Sequence, residues 1–192
     1  MQKRNTAAIA EEIVQLLLSK GGSEYIGEPV TKLEHMVQSA EIAEEKGYSE
    51  ELILAALLHD IGHVCEPLTL ENDMEGLGLL DHEYLGAQFL KERGFSEKII
   101  QAVENHVPAK RYLCYKYPSY LSQLSEASMQ TLKLQGGVMT YHEAIRFEQN
   151  PFFEDIIAIR KIDEQAKIAN KPLPANFDMY KEMMIRHLNQ NA

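Results

Sequence analysis

Apolar residues recur along most of this chain at the three- and four-residue spacing of helices that bury one face. Ile9, Ile13, Leu16 and Leu17 form the first stripe, which Gly21-Gly22 ends. Thr31 with Glu34 reads as a capping box, each side chain accepting from the other residue's backbone N–H. It opens a second helix that Gly47 stops. Ser49 then caps a segment from Glu50 to about His59. Its middle, Leu52-Ile53-Leu54-Ala55-Ala56-Leu57-Leu58, is apolar on every face, which suits a buried strand or a buried helix. The paired alanines and the leucines favour helix, and the all-round apolarity makes it central.

Residues 64–80 hold Pro67, Asn72, Asp73, Gly76 and Gly78 and read as a loop. A loop this long inside a compact domain is more often functional than idle. Helices resume at about 82–93, ended by Gly94, and at 96–106, capped by Ser96. Another is expected from Pro118 to Gly136-Gly137. Thr140 with Glu143 makes a second capping box, and Pro151 begins a helix that includes Asp163. After a break at 170–174, a last amphipathic helix near 176–189 carries Met179, Met183, Met184 and Leu188, as core cover or as a dimer face. No repeat, low-complexity tract or linker interrupts the pattern. The chain, 1–192, reads as one all-α domain with its core at about 25–170 and the terminal helices packed on it.

A net charge of −10 argues against a nucleic-acid or anionic-membrane surface. An anionic substrate would need a local basic pocket. Cys65 and Cys114 match no metal-binding or redox spacing, which suits a reduced, cytoplasmic setting. Residues 1–20, with Glu11 and Glu12, resemble neither signal peptide nor anchor, and no run reaches the roughly 18 apolar residues of a membrane span.

The chemistry lies in an ordered series: His35, His59-Asp60, His82, His106 and Asp163. Imidazole and carboxylate are ligands that iron, zinc and manganese accept. His59-Asp60 ends the most apolar segment, where an unpaired charge is costly unless a cation or hydrogen bonds match it. His106 lies three past Val103 and seven past Ile99, and Asp163 seven past Ile156, so both share core-facing stripes. Several helices thus aim ionisable groups inward, as metal sites on facing helices do.

That series resembles the HD-domain superfamily of metal-dependent enzymes. Many HD phosphohydrolases carry only the first His, the His-Asp pair and the last Asp, which hold one metal; His82 and His106 imply the two-metal version. By this resemblance His35, His59 and Asp163 would bind one ion, His82 and His106 the other. Asp60 would bridge them, since a carboxylate has two oxygens to offer.

Further segments narrow the likeness: Tyr25-Ile26-Gly27-Glu28, Leu57-Leu58-His59-Asp60-Ile61-Gly62-His63, and His106-Val107-Pro108-Ala109-Lys110-Arg111-Tyr112-Leu113. Leu124-Ser125-Glu126-Ala127-Ser128, Gln135-Gly136-Gly137 and Ile159-Arg160-Lys161-Ile162-Asp163 belong with them. Together they resemble, from about Tyr25 to the last helix, a branch of mixed-valent di-iron oxygenases. These cleave 2-amino-1-hydroxyethylphosphonate to glycine and phosphate with O2; myo-inositol oxygenase is a more distant relative. The resemblance implies a non-haem dioxygenase with an Fe(II)/Fe(III) pair, in which Tyr25 occupies an iron position until substrate displaces it. Glu28 would receive the substrate ammonium, and His63, Lys110, Ser128 and Arg160 would hold the phosphonate. Arg supplies a bidentate fork, Lys a point charge and Ser a hydroxyl. His63 follows His59 by four, so a continuing helix would put both on one face.

Two rivals stay open. The same metals could serve an HD phosphohydrolase, which would work without O2. An oxygenase could instead take an N-methylated phosphonate, whose quaternary amine prefers an aromatic surround such as Tyr112, Tyr115, Tyr117 and Tyr120 would build. His142 and His187 fall outside the scheme and are expected at the surface. Monomer and homodimer are both compatible with the sequence.

Overall fold

A computed structural model describes residues 5–25 and 27–191. Among them twelve helices occur and no strands: α1 Thr6–Lys20, α2 Lys32–Glu45, α3 Glu50–Leu58, α4 Gly62–Cys65, α5 His82–Arg93 and α6 Glu97–Glu104. The others are α7 His106–Lys116, α8 Pro118–Leu121, α9 Glu126–Leu134, α10 Tyr141–Phe147, α11 Phe153–Asp163 and α12 Asp178–Gln190. Both capping boxes form, at Thr31–Glu34 and Thr140–Glu143. No described helix is long and apolar enough to cross a membrane.

The segment Leu52–Leu58 is helix, and all seven residues are buried. Only a helix surrounded by other helices can bury an apolar face all round, and α3 packs against α2, α6, α11 and α12. The main core joins these elements with α1 and α5. A second cluster joins Ala109, Tyr112 and Leu113 of α7 with Ala144, Phe147, Ile156 and Ile157. Helix α11 belongs to both, since Ile159 and Ile162 face the main core.

The expectations need correction in four places. First, α3 ends about where expected, at Leu58, but no helix continues to His63: tight turns lead into the short α4, where His63 N–H and Val64 N–H donate three residues back, to Asp60 and Ile61. Second, His106 opens α7 rather than closing α6; Asn105 leaves the helix at φ −110° and its amide donates to the Gln101 carbonyl, finishing α6. Helix α7 is an element the sequence pattern does not predict, and Pro108 lies in its first turn. A proline in the first turn is tolerated because its missing N–H has no intrahelical partner there. Third, the stretch after Pro118 is two helices, since Ser125 caps α9 afresh by accepting from Ser128 N–H. Fourth, His187 is buried, not at the surface: its Nε2 accepts from the Ser96 N–H at 3.0 Å, serving the start of α6. His142 is exposed as expected. Helix α12 covers the core, with Tyr180, Met183, Met184 and Leu188 buried and Met179 exposed.

Candidate metal centre and substrate pocket

Five helix ends deliver the six expected ligands to one place. His35 stands in the first turn of α2, His59 and Asp60 follow α3, His82 opens α5, His106 opens α7 and Asp163 closes α11. None is more than 5% exposed. Gly62 allows the approach of α5: a Cβ there would stand 1.9 Å from the His82 carbonyl oxygen.

Each imidazole is oriented by the main chain. Nδ1 of His35, His59, His82 and His106 lies 2.9, 2.8, 3.2 and 2.7 Å from the carbonyls of Ala166, Ala56, Leu79 and Val103. A carbonyl can only accept, so every Nδ1 carries the proton and every Nε2 turns a lone pair inward. Those lone pairs meet in two groups. His35 and His59 Nε2 are 3.0 Å apart, both within 3.5 Å of Asp60 Oδ2 and within 3.8 Å of Asp163 Oδ1. His82 and His106 Nε2 are 3.2 Å apart, at 3.3 and 3.4 Å from Asp60 Oδ1.

One carboxylate thus faces each histidine pair with a different oxygen, and neither oxygen has a hydrogen-bond donor although both are buried. Facing lone pairs and an orphaned carboxylate are unfavourable unless cations lie between them. Ligands about 2.1 Å from one ion stand roughly 3.0–3.4 Å apart, which matches these spacings. The residues therefore fit two metal ions with Asp60 between. Burial opposes ionisation of Asp60, and cations between the histidine pairs would offset that cost. Burial opposes ionisation of Asp163 as well, yet the Arg160 guanidinium holds its carboxyl well below the usual range.

A cavity of about 40 Å³ adjoins His82, His106 and Asp163. Tyr25, Lys110, Ser128, Gln135 and Arg160 line it. Tyr25 stacks on the His35 ring at 4.1 Å; burial and the charges of Asp60 and Asp163 keep its phenol well above the ordinary range. Lys110 donates to Thr131 Oγ1 at 2.9 Å, and burial, reinforced by Arg160, pushes its ammonium down to about 7. Arg160 donates to Tyr120 at 2.9 Å and pairs with Asp163 and Glu164.

The HD-domain family matches residues 33–135. The chain belongs to that family. This HD-domain protein is also 43% identical, over 98% of its own length and 96% of the relative's, to a [1-hydroxy-2-(trimethylamino)ethyl]phosphonate dioxygenase (glycine-betaine-forming) of Leisingera caerulea. It is 40% identical to a hydroxymethylphosphonate dioxygenase of Gimesia maris, over 82% of this chain and 78% of that one. An uncharacterized protein of Acanthamoeba polyphaga mimivirus is 43% identical over 94% of this chain and 82% of the relative. Its named relatives place this HD-domain protein in an oxygenase branch.

The structure brings Tyr25, Lys110, Ser128 and Arg160 to the cavity beside His82, His106 and Asp163, while His63 and Glu28 are not among its lining residues. His63 is not on one continuous helix with His59. Its ring stacks on His82 at 4.0 Å, and its buried Nδ1 has no partner. Ligand atoms of Asp60, His63 and His82 lie within 4.8 Å of one another, so His63 can serve either the second metal or an anion bound to it. Burial holds its imidazole neutral, well below the usual range. In the Tyr25-Ile26-Gly27-Glu28 segment, Ile26 lies outside the described residues. Glu28 is already engaged: its Oε1 accepts from Lys167 Nζ at 2.8 Å and from Ser125 Oγ at 2.6 Å.

Sequence reasoning missed Lys167, Gly62 and the role of Gln135, whose buried Oε1 has no partner. Lys167 had a signal. Arg160, Asp163, Glu164 and Lys167 alternate in sign at three- and four-residue spacing, the pattern of paired charges along a helix face.

Proposed function

We propose that this protein is an iron-dependent oxygenase that uses O2 to cleave the carbon–phosphorus bond of a 1-hydroxyphosphonate. The observation that carries this reading is the Asp60 carboxylate, split between two histidine pairs beside a cavity that Lys110 and Arg160 line. The named relatives support the reaction class. The leading substrate is 2-amino-1-hydroxyethylphosphonate. One O2 balances its conversion to glycine and phosphate: C1 rises from alcohol to carboxylate, and phosphorus leaves as phosphate.

Two irons, mixed-valent in this reading, would be held by His35, His59 and Asp163 and by His82 and His106, and would supply the redox chemistry. The rest falls to the chain's own groups. Lys110, Ser128 and Arg160 neutralise and orient the phosphonate, with His63 as an uncharged donor beside it. Tyr25 fills the pocket and excludes water until substrate displaces it. Glu28 accepts the amine and so sets which end of the substrate faces the metals.

A second reading keeps the oxygenase and takes an N-methylated substrate, as the name of the Leisingera caerulea protein describes for that enzyme. The primary amine is favoured by the walls: Tyr112 turns to Glu148 at 2.6 Å and to Phe147 and Phe153, and Tyr25 is the one tyrosine among the described cavity-lining residues. The test is phosphate release by iron-loaded protein from 2-amino-1-hydroxyethylphosphonate and its trimethylated counterpart, under air and without O2. Phosphate only under air supports the oxygenase, and the amine preferred identifies the substrate. Release of phosphate from an ester without O2 would make the protein a phosphohydrolase. Oxygen-active protein lacking a half-integer-spin resonance would remove the mixed-valent pair.

A further inference from the structure

Main-chain hydrogen bonds join Tyr25 to Glu28 and to Val30. Tyr25 N–H donates to Val30 O at 2.9 Å, Glu28 N–H to Tyr25 O at 2.8 Å, and the Tyr25 ring lies on His35. The cavity beside Tyr25, about 40 Å³, is far smaller than the roughly 300–1,000 Å³ of pockets that take small-molecule ligands. A hydroxyphosphonate therefore requires the cavity walls to move, and Tyr25 is one of them. Besides its own turn, two side chains tie the loop of Tyr25 and Glu28 down: the Ser125 hydroxyl donates to Glu28 Oε1 at 2.6 Å, and Lys167 Nζ lies 2.8 Å from the same oxygen and 3.3 Å from Ser128 Oγ on the cavity wall.

The tie ends an alternating line of charges that begins at a metal ligand. Asp163 pairs with Arg160, Arg160 with Glu164, Glu164 with Lys167 at 3.4 Å, and Lys167 with Glu28. Lys167 also follows Ala166, whose carbonyl orients His35. Its ammonium is thus held in register with the metal pocket and fills the cation position on Glu28. A substrate ammonium brought to the same carboxylate would meet a like charge unless Lys167 gave way. Lys167 sits at the rim, with 14% of its side chain exposed, so it can leave to solvent.

We propose that Lys167 is a specificity-determining residue: its ammonium occupies Glu28 in the closed pocket, and an amine-bearing hydroxyphosphonate opens the loop by taking its place. This rests on the hydroxyphosphonate reading of the site. A phosphonate without an amine gains nothing from Glu28 and leaves Lys167 paired with it, so only the amine-bearing ligand bears the cost of parting the two.

The test compares wild type with Lys167→Met, using metal-loaded protein without O2 and calorimetric binding of 2-amino-1-hydroxyethylphosphonate and of 1-hydroxyethylphosphonate. Removing the competitor should raise the affinity ratio in favour of the amine about five- to tenfold, and Lys167→Arg should restore the wild-type ratio. A second readout needs no ligand. Amide hydrogen exchange at Tyr25 and Glu28 should quicken about fivefold in Lys167→Met and stay at the wild-type rate in Lys161→Met, an exposed lysine of α11. If neither phosphonate binds wild type, the hydroxyphosphonate reading fails. If both bind, but the ratio stays within twofold or falls in Lys167→Met, that reading stands and the role of Lys167 is overturned. Unchanged loop exchange overturns the tie itself.

Discussion

At the metal end of the pocket, main-chain carbonyls orient the histidines; at the substrate end, side chains hold side chains. His35, His59, His82 and His106 each rest Nδ1 on a carbonyl. Moving one of them means moving chain at the end of a packed helix. Lys110 rests on Thr131, Arg160 on Tyr120, and Lys167 on Glu28. Such contacts exchange by rotamer changes, on timescales far shorter than helix rearrangement. The contrast suits an enzyme whose metals must stay fixed while a pocket of about 40 Å³ enlarges for substrate.

Asp60→Ala is the sharpest attempt to break the metal end. It removes the carboxylate that faces both histidine pairs, so elemental analysis should find both ions lost or nearly so. Turnover should fall on the order of a thousandfold or more, since a catalytic ion is worth several kcal/mol. Retention of both ions would show that Asp60 does not bridge. Gly62→Ala asks whether the two halves of that end are separable. The new methyl meets the His82 carbonyl, so α5 must shift, at a cost of about 3 kcal/mol in urea unfolding. The ion held by His82 and His106 should be lost at lower chelator concentration than the other; simultaneous loss would mean the pair behaves as one unit.

The substrate end should answer to pH instead. Lys110 is pushed down to about 7 by burial. Its charge, which attracts a phosphonate dianion, is present below that pH and lost above it. Apparent affinity should therefore fall as pH rises past about 7, by up to tenfold per unit, and Lys110→Met should flatten that limb while weakening binding at pH 6. An unchanged profile in the variant would assign the dependence to another group.

The same contrast explains what could be read from sequence. Metal ligands are legible because residue type, burial stripe and chain order coincide: His106 and Asp163 share stripes with Val103 and Ile156, and the apolar run 52–58 announces the central helix. Contacts between distant side chains leave no such periodic mark. Nothing local in Gly62 announces the carbonyl of His82, and nothing local in Lys167 announces Glu28, 139 positions away. The break between α3 and α4 and the start of α7 at His106 were likewise decided by tertiary contact, which overrides a local pattern once ends must meet at one point.

The mildest perturbation separates frame from site most cleanly. Thr31 accepts from Glu34 N–H at 3.2 Å, while its own N–H donates to Glu34 Oε2 at 2.6 Å. Thr31→Ala deletes only the first of these, and loss of such a cap costs about 1 kcal/mol. His35 stands one residue beyond this box, yet its ring is held from the far side by Ala166 and from below by the Tyr25 ring. If main-chain anchoring fixes the metal end, the variant should unfold about 1 kcal/mol more easily and still keep both ions at wild-type stoichiometry. If ion content fell in step with stability, the start of α2 would itself be holding His35 in place, and the metal end would be less independent of its neighbouring loop than its carbonyl contacts imply.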